Sequence, residues 1–134
     1  MPQLMLHHVS IVVTDLARSL AFYRDLFDLE QIERPPFPVP GAWFACGSLQ
    51  IHLIVNPAGT FRHNPRVDTA DWHFAFRTDD FEAAVSRLIA KGFRENGNED
   101  DPKRLHVVRK SVAGFPQLYL LDPDRNIIEI NGAP

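Results

Sequence analysis

Residues 8–16 read His-Val-Ser-Ile-Val-Val-Thr-Asp-Leu, and residues 73–81 read His-Phe-Ala-Phe-Arg-Thr-Asp-Asp-Phe. Both stretches place β-branched or aromatic residues at close intervals, which is typical of a β-strand. A Thr-Asp or Asp-Asp pair then follows, of the kind that caps the N-terminus of a helix. Because a repeated unit constrains the whole fold, the chain is predicted to contain two copies of a module that opens with a strand and a helix.

An amphipathic helix is predicted after each of these strands. From Leu16 to Phe27 the apolar residues recur at spacings of three and four, and from Phe81 to Ala90 they do so again. Lys91 and Gly92 then supply a cation and a helix-ending glycine. The second helix is therefore interpreted as the counterpart of the first.

Short segments with strand character follow both helices. They are residues 29–33, 42–46 and 49–55 in the first half, and 93–95, 105–108, 118–121 and 127–130 in the second, where two pieces can form one interrupted strand. Each half thus reads as a strand, a helix and three strands. The prediction is one α+β domain spanning residues 1–134, with one module at about 4–56, a linker or active-site rim at 57–70 and a second module at about 71–132.

Composition and charge narrow the classes of function. The 134 residues are 45% hydrophobic and 23% charged, which is typical of a globular protein. A net charge of -3 without a basic stripe argues against nucleic acid as a partner. The apolar runs are too short to span a membrane, the N-terminus lacks a signal-peptide pattern, and the single Cys46 excludes an intramolecular disulfide. A cytoplasmic protein with no membrane partner is predicted.

Alternation along the strands is expected to collect potential metal ligands on one face of a curved sheet. His8 and Ser10 point away from the apolar side of the first strand, and His52 points away from the apolar side of a later one. His73 and Glu129 take the equivalent positions in the second half. Three imidazoles and one carboxylate suit Zn, Fe(II), Ni, Co or Mn better than Ca or Mg. The sequence therefore predicts one divalent cation held by His8, His52, His73 and Glu129.

Three motifs carry a resemblance to a known family. They are His-Val-Ser-Ile-Val-Val-Thr-Asp-Leu-Ala-Arg-Ser-Leu-Ala-Phe-Tyr-Arg-Asp at 8–25, Trp-His-Phe-Ala-Phe at 72–76 and Leu-Asp-Pro-Asp-Arg-Asn-Ile-Ile-Glu at 121–129. Together they resemble the vicinal oxygen chelate superfamily, which includes glyoxalase I, methylmalonyl-CoA epimerase, extradiol dioxygenases, fosfomycin-resistance thiol transferases and bleomycin-sequestering proteins. The resemblance implies two βαβββ modules forming a curved mixed sheet around a metal. It also implies a homodimer whose sites are shared between subunits.

The resemblance assigns roles to the four donors. His8, His73 and Glu129 match the ligand positions most widely used in the family. His52 matches the fourth, where glyoxalase I carries a glutamate and the epimerase a glutamine. Because a histidine replaces that carboxylate, Glu129 is left as the clear catalytic base, and His52 is the second catalytic candidate, as a ligand or as a proton relay.

Three further residues are candidates for contact with a small-molecule substrate. Tyr119 lies ten residues before Glu129, a spacing at which the extradiol enzymes and the thiol transferases resemble this chain. Ser10 shares the predicted face of His8, and Trp43 lies beside the proline-rich loop at 34–40. The basic residues of the other loops are interpreted as solvated charges more readily than as anion-binding groups. They are Arg62, Arg66, Lys103, Arg104, Arg109 and Lys110.

Three functions stay open from the sequence. The leading one is a metal-dependent lyase or isomerase resembling glyoxalase I (lactoylglutathione lyase), in which the cation chelates two neighbouring oxygens and Glu129 moves a proton through an enediolate. The first alternative is an Fe(II) extradiol-type dioxygenase, because two histidines and a carboxylate form the triad used by such enzymes. The second is a metal-free protein that binds a small molecule and confers resistance to it.

Overall fold

The computed structural model describes residues 1–59 and 62–134. It divides into two units, Met1–Phe61 and Arg62–Pro134. The first unit contains β1 (His8–Val13), α1 (Leu16–Leu20), a π-helical segment (Ala21–Leu26), β2 (Glu30–Ile32), β3 (Gly41–Cys46) and β4 (Leu49–Val55). The second contains β5 (His73–Thr78), α2 (Phe81–Ala90), β6 (Arg94–Glu95), β7 (Arg104–Val108), β8 (Gln117–Leu121) and β9 (Ile127–Gly132). The predicted α+β fold class is confirmed.

Each unit has one sheet, and the two sheets share a strand order. The order is β1-β4-β3-β2 in the first unit and β5-β9-β8-β7-β6 in the second. In both, the opening strand runs parallel to the last one, and the last strand pairs antiparallel with the one before it. Two-residue β6 pairs parallel with β7. It is therefore a separate short strand and not part of an interrupted one.

The register of the first sheet places its candidate residues side by side. His52 on β4 lies opposite Ser10 on β1 and opposite Trp43 on β3. His8 lies two residues before Ser10, and side chains two apart on a strand point to the same face. His8, Ser10, Trp43 and His52 therefore share one face of this sheet, as the alternation predicted.

The second sheet repeats that register. Glu129 on β9 lies opposite Ala75 on β5 and opposite Tyr119 on β8. His73 again lies two residues before the β5 partner, so His73, Tyr119 and Glu129 share a face. Glu129 therefore occupies the position that His52 has in the first unit, and the pairing of the first strand with the last two is equivalent in the two halves.

Burial follows the alternation on β1 but not on β9. Ile11 and Val13 are 2% and 0% exposed, whereas His8 and Ser10 on the other face are exposed. Every residue of β9 is buried, including the polar side chain of Glu129. The last strand therefore has a covered polar face, which requires hydrogen-bond partners inside the protein.

The first predicted helix is not a continuous α-helix. Asp15 caps α1 by accepting a hydrogen bond from the Arg18 amide at 3.1 Å, but from Ala21 onward the chain is π-helical. The wider turns bury Phe22, Tyr23 and Leu26. The apolar spacing of three and four predicted an α-helix throughout, and this prediction is wrong for the π-helical segment. None of the helices in the described part of the chain is long and apolar enough to cross a membrane.

Candidate metal centre

Three aromatic rings are stacked on the polar face of the first sheet. The His52 ring lies between those of Trp43 and His8, at 4.0 Å between centroids on either side and with interplanar angles of 3° and 17°. His52 is 6% exposed, whereas His8 at the end of the stack is exposed. The stack therefore fixes His52 and presents His8 as its accessible member.

Both imidazoles of the stack have a second polar contact. Nδ1 of His8 lies 2.9 Å from Nδ1 of His7, which leaves Nε2 of His8 for another partner. Nε2 of His52 lies 2.8 Å from Oε1 of Gln50, and because an amide oxygen only accepts, Nε2 of His52 carries the proton. This arrangement suits His8 as a metal ligand. It suits His52 as a buried positioning or relay residue more than as a fourth ligand.

The environment of His52 favours the neutral imidazole. Burial is the main cause, and positive charge on His8, His7 and Arg34 adds to it, so that the pKa of His52 is lowered to about 4. At neutral pH the ring is therefore uncharged.

The low pKa of His52 predicts that acid destabilises the metal-free protein. In the unfolded chain this imidazole titrates near pH 6.5, whereas in the folded chain it does so near 4. The unfolded state thus binds the extra proton first, and the contribution of His52 to stability should fall as the pH drops from 6.5 to 4 and then level off. Urea unfolding at a series of pH values measures this. A His52→Gln variant should show a flatter curve, and an unchanged slope in that window would contradict the assignment.

His73 on the second sheet has a defined tautomer. Its Nδ1 lies 2.8 Å from the main-chain oxygen of Asp71, and because a carbonyl only accepts, Nδ1 carries the proton. The lone pair is then on Nε2. Histidines that bind metals commonly donate their other N–H in this way, which orients the ring. His73 is therefore prepared to ligate through Nε2.

The carboxylate of Glu129 is buried and held at both oxygens. It is 6% exposed. Gln117 Nε2 donates to Oε1, and Asn131 Nδ2 donates to Oε2 at 3.0 Å. Among the described residues its hydrogen-bond partners are neutral, so none of these contacts is an ion pair. A buried carboxylate in this state is a suitable ligand for a cation.

A second layer orients the two amides. The Ser111 hydroxyl contacts Oε1 of Gln117, and Arg77 Nε donates to Oδ1 of Asn131 at 2.7 Å. Since each amide oxygen is occupied, each amide nitrogen is turned toward Glu129. The position of the carboxylate is thus set by residues on three strands and the loop before β8.

Tyr119 completes the polar face of the second sheet. Its hydroxyl accepts a hydrogen bond from Gln117 Nε2 at 3.2 Å, and its ring meets His73 edge-on at 5.5 Å between centroids. Burial, followed by the hydrogen bond to Glu129 and the charge of that carboxylate, raises the pKa of Tyr119 to about 12. Tyr119 is therefore a neutral phenol, able to donate a proton in a hydrogen bond.

The candidate donors fall into two pairs. His8 and His52 lie together on the first unit, and His73 and Glu129 lie on one face of the second. Across the described residues, 1–59 and 62–134, no group of three or more His, Cys, Asp or Glu side chains is placed to hold a metal. The donor chemistry nevertheless fits a borderline divalent cation, because His73 has its lone pair on Nε2 and Glu129 is a buried carboxylate with neutral hydrogen-bond partners among the described residues.

Sequence reasoning missed four residues that shape these faces. Gln50, Gln117 and Asn131 each lie two positions from a candidate residue on the same strand, so strand alternation could have identified them. Arg34 lies beyond the end of β2 in the proline-rich loop, and no pattern in the sequence distinguished it from a solvated charge. Only the folded chain shows its contacts.

The family of the chain follows from these features together with its sequence. Residues 5–130 match the model of the Glyoxalase/Bleomycin resistance protein/Dioxygenase superfamily, and the chain belongs to this family. The family comprises metal-dependent enzymes together with proteins that bind small molecules. The predicted resemblance is confirmed.

Individual relatives span several activities. The chain is 27% identical over 126 residues, covering 94% of this chain and 79% of the relative, to glutathione transferase FosA from Serratia marcescens. Its fold is similar to that of lactoylglutathione lyase from Agrobacterium tumefaciens, with a TM-score of 0.70, 23% identity, and 99% and 96% of the two chains covered. It is also similar to the fosfomycin resistance protein FosX from Listeria monocytogenes, with a TM-score of 0.69, 20% identity, and 98% and 95% covered. These relatives are enzymes and resistance proteins, and they do not define one reaction.

Proposed function

We propose that this protein is a divalent-metal-dependent lyase or isomerase of the glyoxalase I type, acting in the cytoplasm on a small substrate bound through neighbouring oxygens. The main support for the proposal is that two side chains of the second sheet are already in states that suit binding of a cation. His73 has its lone pair on Nε2, and among the described residues the donors to the buried Glu129 are neutral. His8 and His73 also occupy equivalent positions in two sheets of identical register.

In this proposal His8, His73 and Glu129 hold the metal, and a homodimer completes each site. Of these three ligands the first unit supplies one and the second unit supplies two, which is too few for a metal site in either unit alone. We propose that units from two subunits provide a complete set, as the resemblance to the family implies. The cation would be Zn, Ni, Co, Fe or Mn.

The residues of the chain would carry the proton transfer. When bound, the metal would polarise the substrate oxygens and acidify the neighbouring C–H. Glu129, held at both oxygens, would take the proton and return it to the adjacent carbon. Tyr119 would contact the substrate while its phenol donates to Glu129, and the neutral His52 would serve as a relay.

Glutathione transfer is a second candidate. The similarity to glutathione transferase FosA extends over 94% of this chain. In this function the same donors would hold the metal, and the substrate would be a small electrophile such as fosfomycin. The Fe(II) dioxygenase prediction and the metal-free binding prediction remain as outcomes of the same experiment.

The experiment combines metal analysis with a set of assays on protein purified without chelator or affinity tag. We expect one Ni, Co, Zn or Mn per site and isomerisation of the hemithioacetal of methylglyoxal and glutathione. Conjugation of fosfomycin with glutathione instead would favour the second candidate. Iron together with O₂ uptake from a catechol panel would establish the dioxygenase, and absence of bound metal would establish a binding protein.

A further inference from the structure

Arg34 is an unpaired cation on the first unit. Several other arginines of the described part of the chain form ion pairs with carboxylates, among them Arg24, Arg62, Arg66, Arg94 and Arg109. Arg34 forms none with the described residues. Its Nε is buried without a hydrogen-bond partner in the part of the chain that the structure describes. The positive charge of this partly buried guanidinium is therefore not paired by any carboxylate of the described residues.

The fold holds this guanidinium in one place. Nη2 donates to the main-chain oxygen of Val39 at 2.8 Å, and the guanidinium carbon lies 5.1 Å from the centroid of the Phe37 ring. Gly41 leaves the space that the group occupies, since a Cβ there would lie 3.0 Å from both Cζ and Nε of Arg34. Such a rigid fork loses little entropy when it binds an oxyanion.

A row of rings connects Arg34 with the candidate site. The Phe37 ring is 6.1 Å from Trp43, which is stacked on His52 at 4.0 Å, and His52 is stacked on His8. Phe37 is 52% exposed, so its apolar surface is accessible. A ligand that contacts these rings would therefore have a cation at one end and the His8 imidazole at the other.

We propose that Arg34 is the anion-binding group of the substrate site, and that the ligand carries a carboxylate or phosphonate on an apolar or aromatic body. The Nη1 end of the guanidinium, which has no acceptor among the described residues, donates to the oxyanion. The body of the ligand lies on Phe37 and Trp43. The identification of this ligand as the substrate rests on the proposed function.

The test follows the fluorescence of Trp43. The chain has two tryptophans, and a Trp72→Phe background removes the exposed second one. The probes are benzoate, phenylphosphonate and the uncharged benzamide. In this background both anions should change the Trp43 emission with saturable binding. Arg34→Gln should weaken their binding by about tenfold or more, because it removes a charge-assisted contact. Benzamide should bind equally weakly with and without Arg34.

Matched variants make the result decisive. Arg24→Gln removes an exposed arginine of the same unit and should leave the dissociation constants unchanged. If Arg34→Gln does not fold, Arg34→Lys keeps the charge but loses the planar fork, and it should bind both anions several-fold more weakly. Equal affinities in the Arg34 variants and the parent, or equal affinities for benzoate and benzamide, would overturn the proposal.

The outcome is separable from that of the proposed function. Binding of the anions requires no turnover. An inactive protein that binds them through Arg34 would refute the enzyme and keep the subsite, whereas an active isomerase with unchanged anion binding in Arg34→Gln would refute the subsite alone.

Discussion

Replacing Glu129 with glutamine is expected to reduce turnover by about 1,000-fold, within the range that a positioned general base contributes. The amide keeps the size of the side chain but has no negative charge and no basic oxygen for the substrate proton. Its nitrogen would also face the Gln117 or Asn131 donor that now contacts a carboxylate oxygen. Steady-state kinetics measure the loss of turnover, and the metal content of the purified variant measures whether metal binding is lost as well.

The control for this variant is Glu30→Gln. Glu30 is an exposed residue of β2, so the same chemical change there should leave turnover and metal content at parent values. Circular dichroism of both variants shows whether the fold is intact. Full activity in Glu129→Gln would eliminate Glu129 as the base, and loss of activity with unchanged metal content would assign it to proton transfer and not to ligation.

Replacing Gly41 with alanine is expected to destabilise the protein by about 3 kcal/mol, at the upper end of the usual cost of overpacking. An added Cβ would lie 2.2 Å from the main-chain oxygen of Leu53 and 3.0 Å from the Arg34 guanidinium. Because the first of these atoms belongs to the backbone of β4, the strand itself must move. Urea unfolding followed by circular dichroism measures the loss of stability.

Gly97→Ala is the matched comparison for that substitution. At Gly97 the nearest atom to an added Cβ is 3.5 Å away, which is an ordinary contact. This variant should therefore unfold at nearly the same urea concentration as the parent. If the two alanine variants have similar urea midpoints of unfolding, strands β3 and β4 can move apart without loss of stability. Gly41 would then not be required for the placement of Arg34.

The sequence predicted the strands better than it predicted the first helix. The α2 bounds and the β4 bounds agree with the structure residue by residue, since both segments have strong and regular patterns. The π-helical segment after Leu20 was missed because π-helices are rare and the apolar pattern indicated one continuous amphipathic helix. β6 was identified as a strand piece, but its independent pairing with β7 depends on the position of a distant segment.

For the candidate site, alternation on strands was the informative signal. It placed His52 and Glu129 on the faces where the structure has them, because a side-chain period of two is a local property of the backbone. It did not predict the tautomer of His73, which depends on the main-chain oxygen of Asp71 two residues earlier. The joint ligand set around a metal stays a prediction.

The sequence by itself determined the repeat, the fold class and the family, because periodicity, capping residues and motif spacing depend on residues that are close together in the sequence. Only the tertiary structure decided which polar groups are partnered. It stacked His52 between Trp43 and His8, turned two amides toward Glu129, and left Arg34 without a carboxylate among the described residues. The ring stack and the Gln117–Glu129 contact join residues on different strands and form only when the strands pair, whereas the Asn131–Glu129 contact spans two residues and depends on the side-chain orientations that the folded sheet fixes.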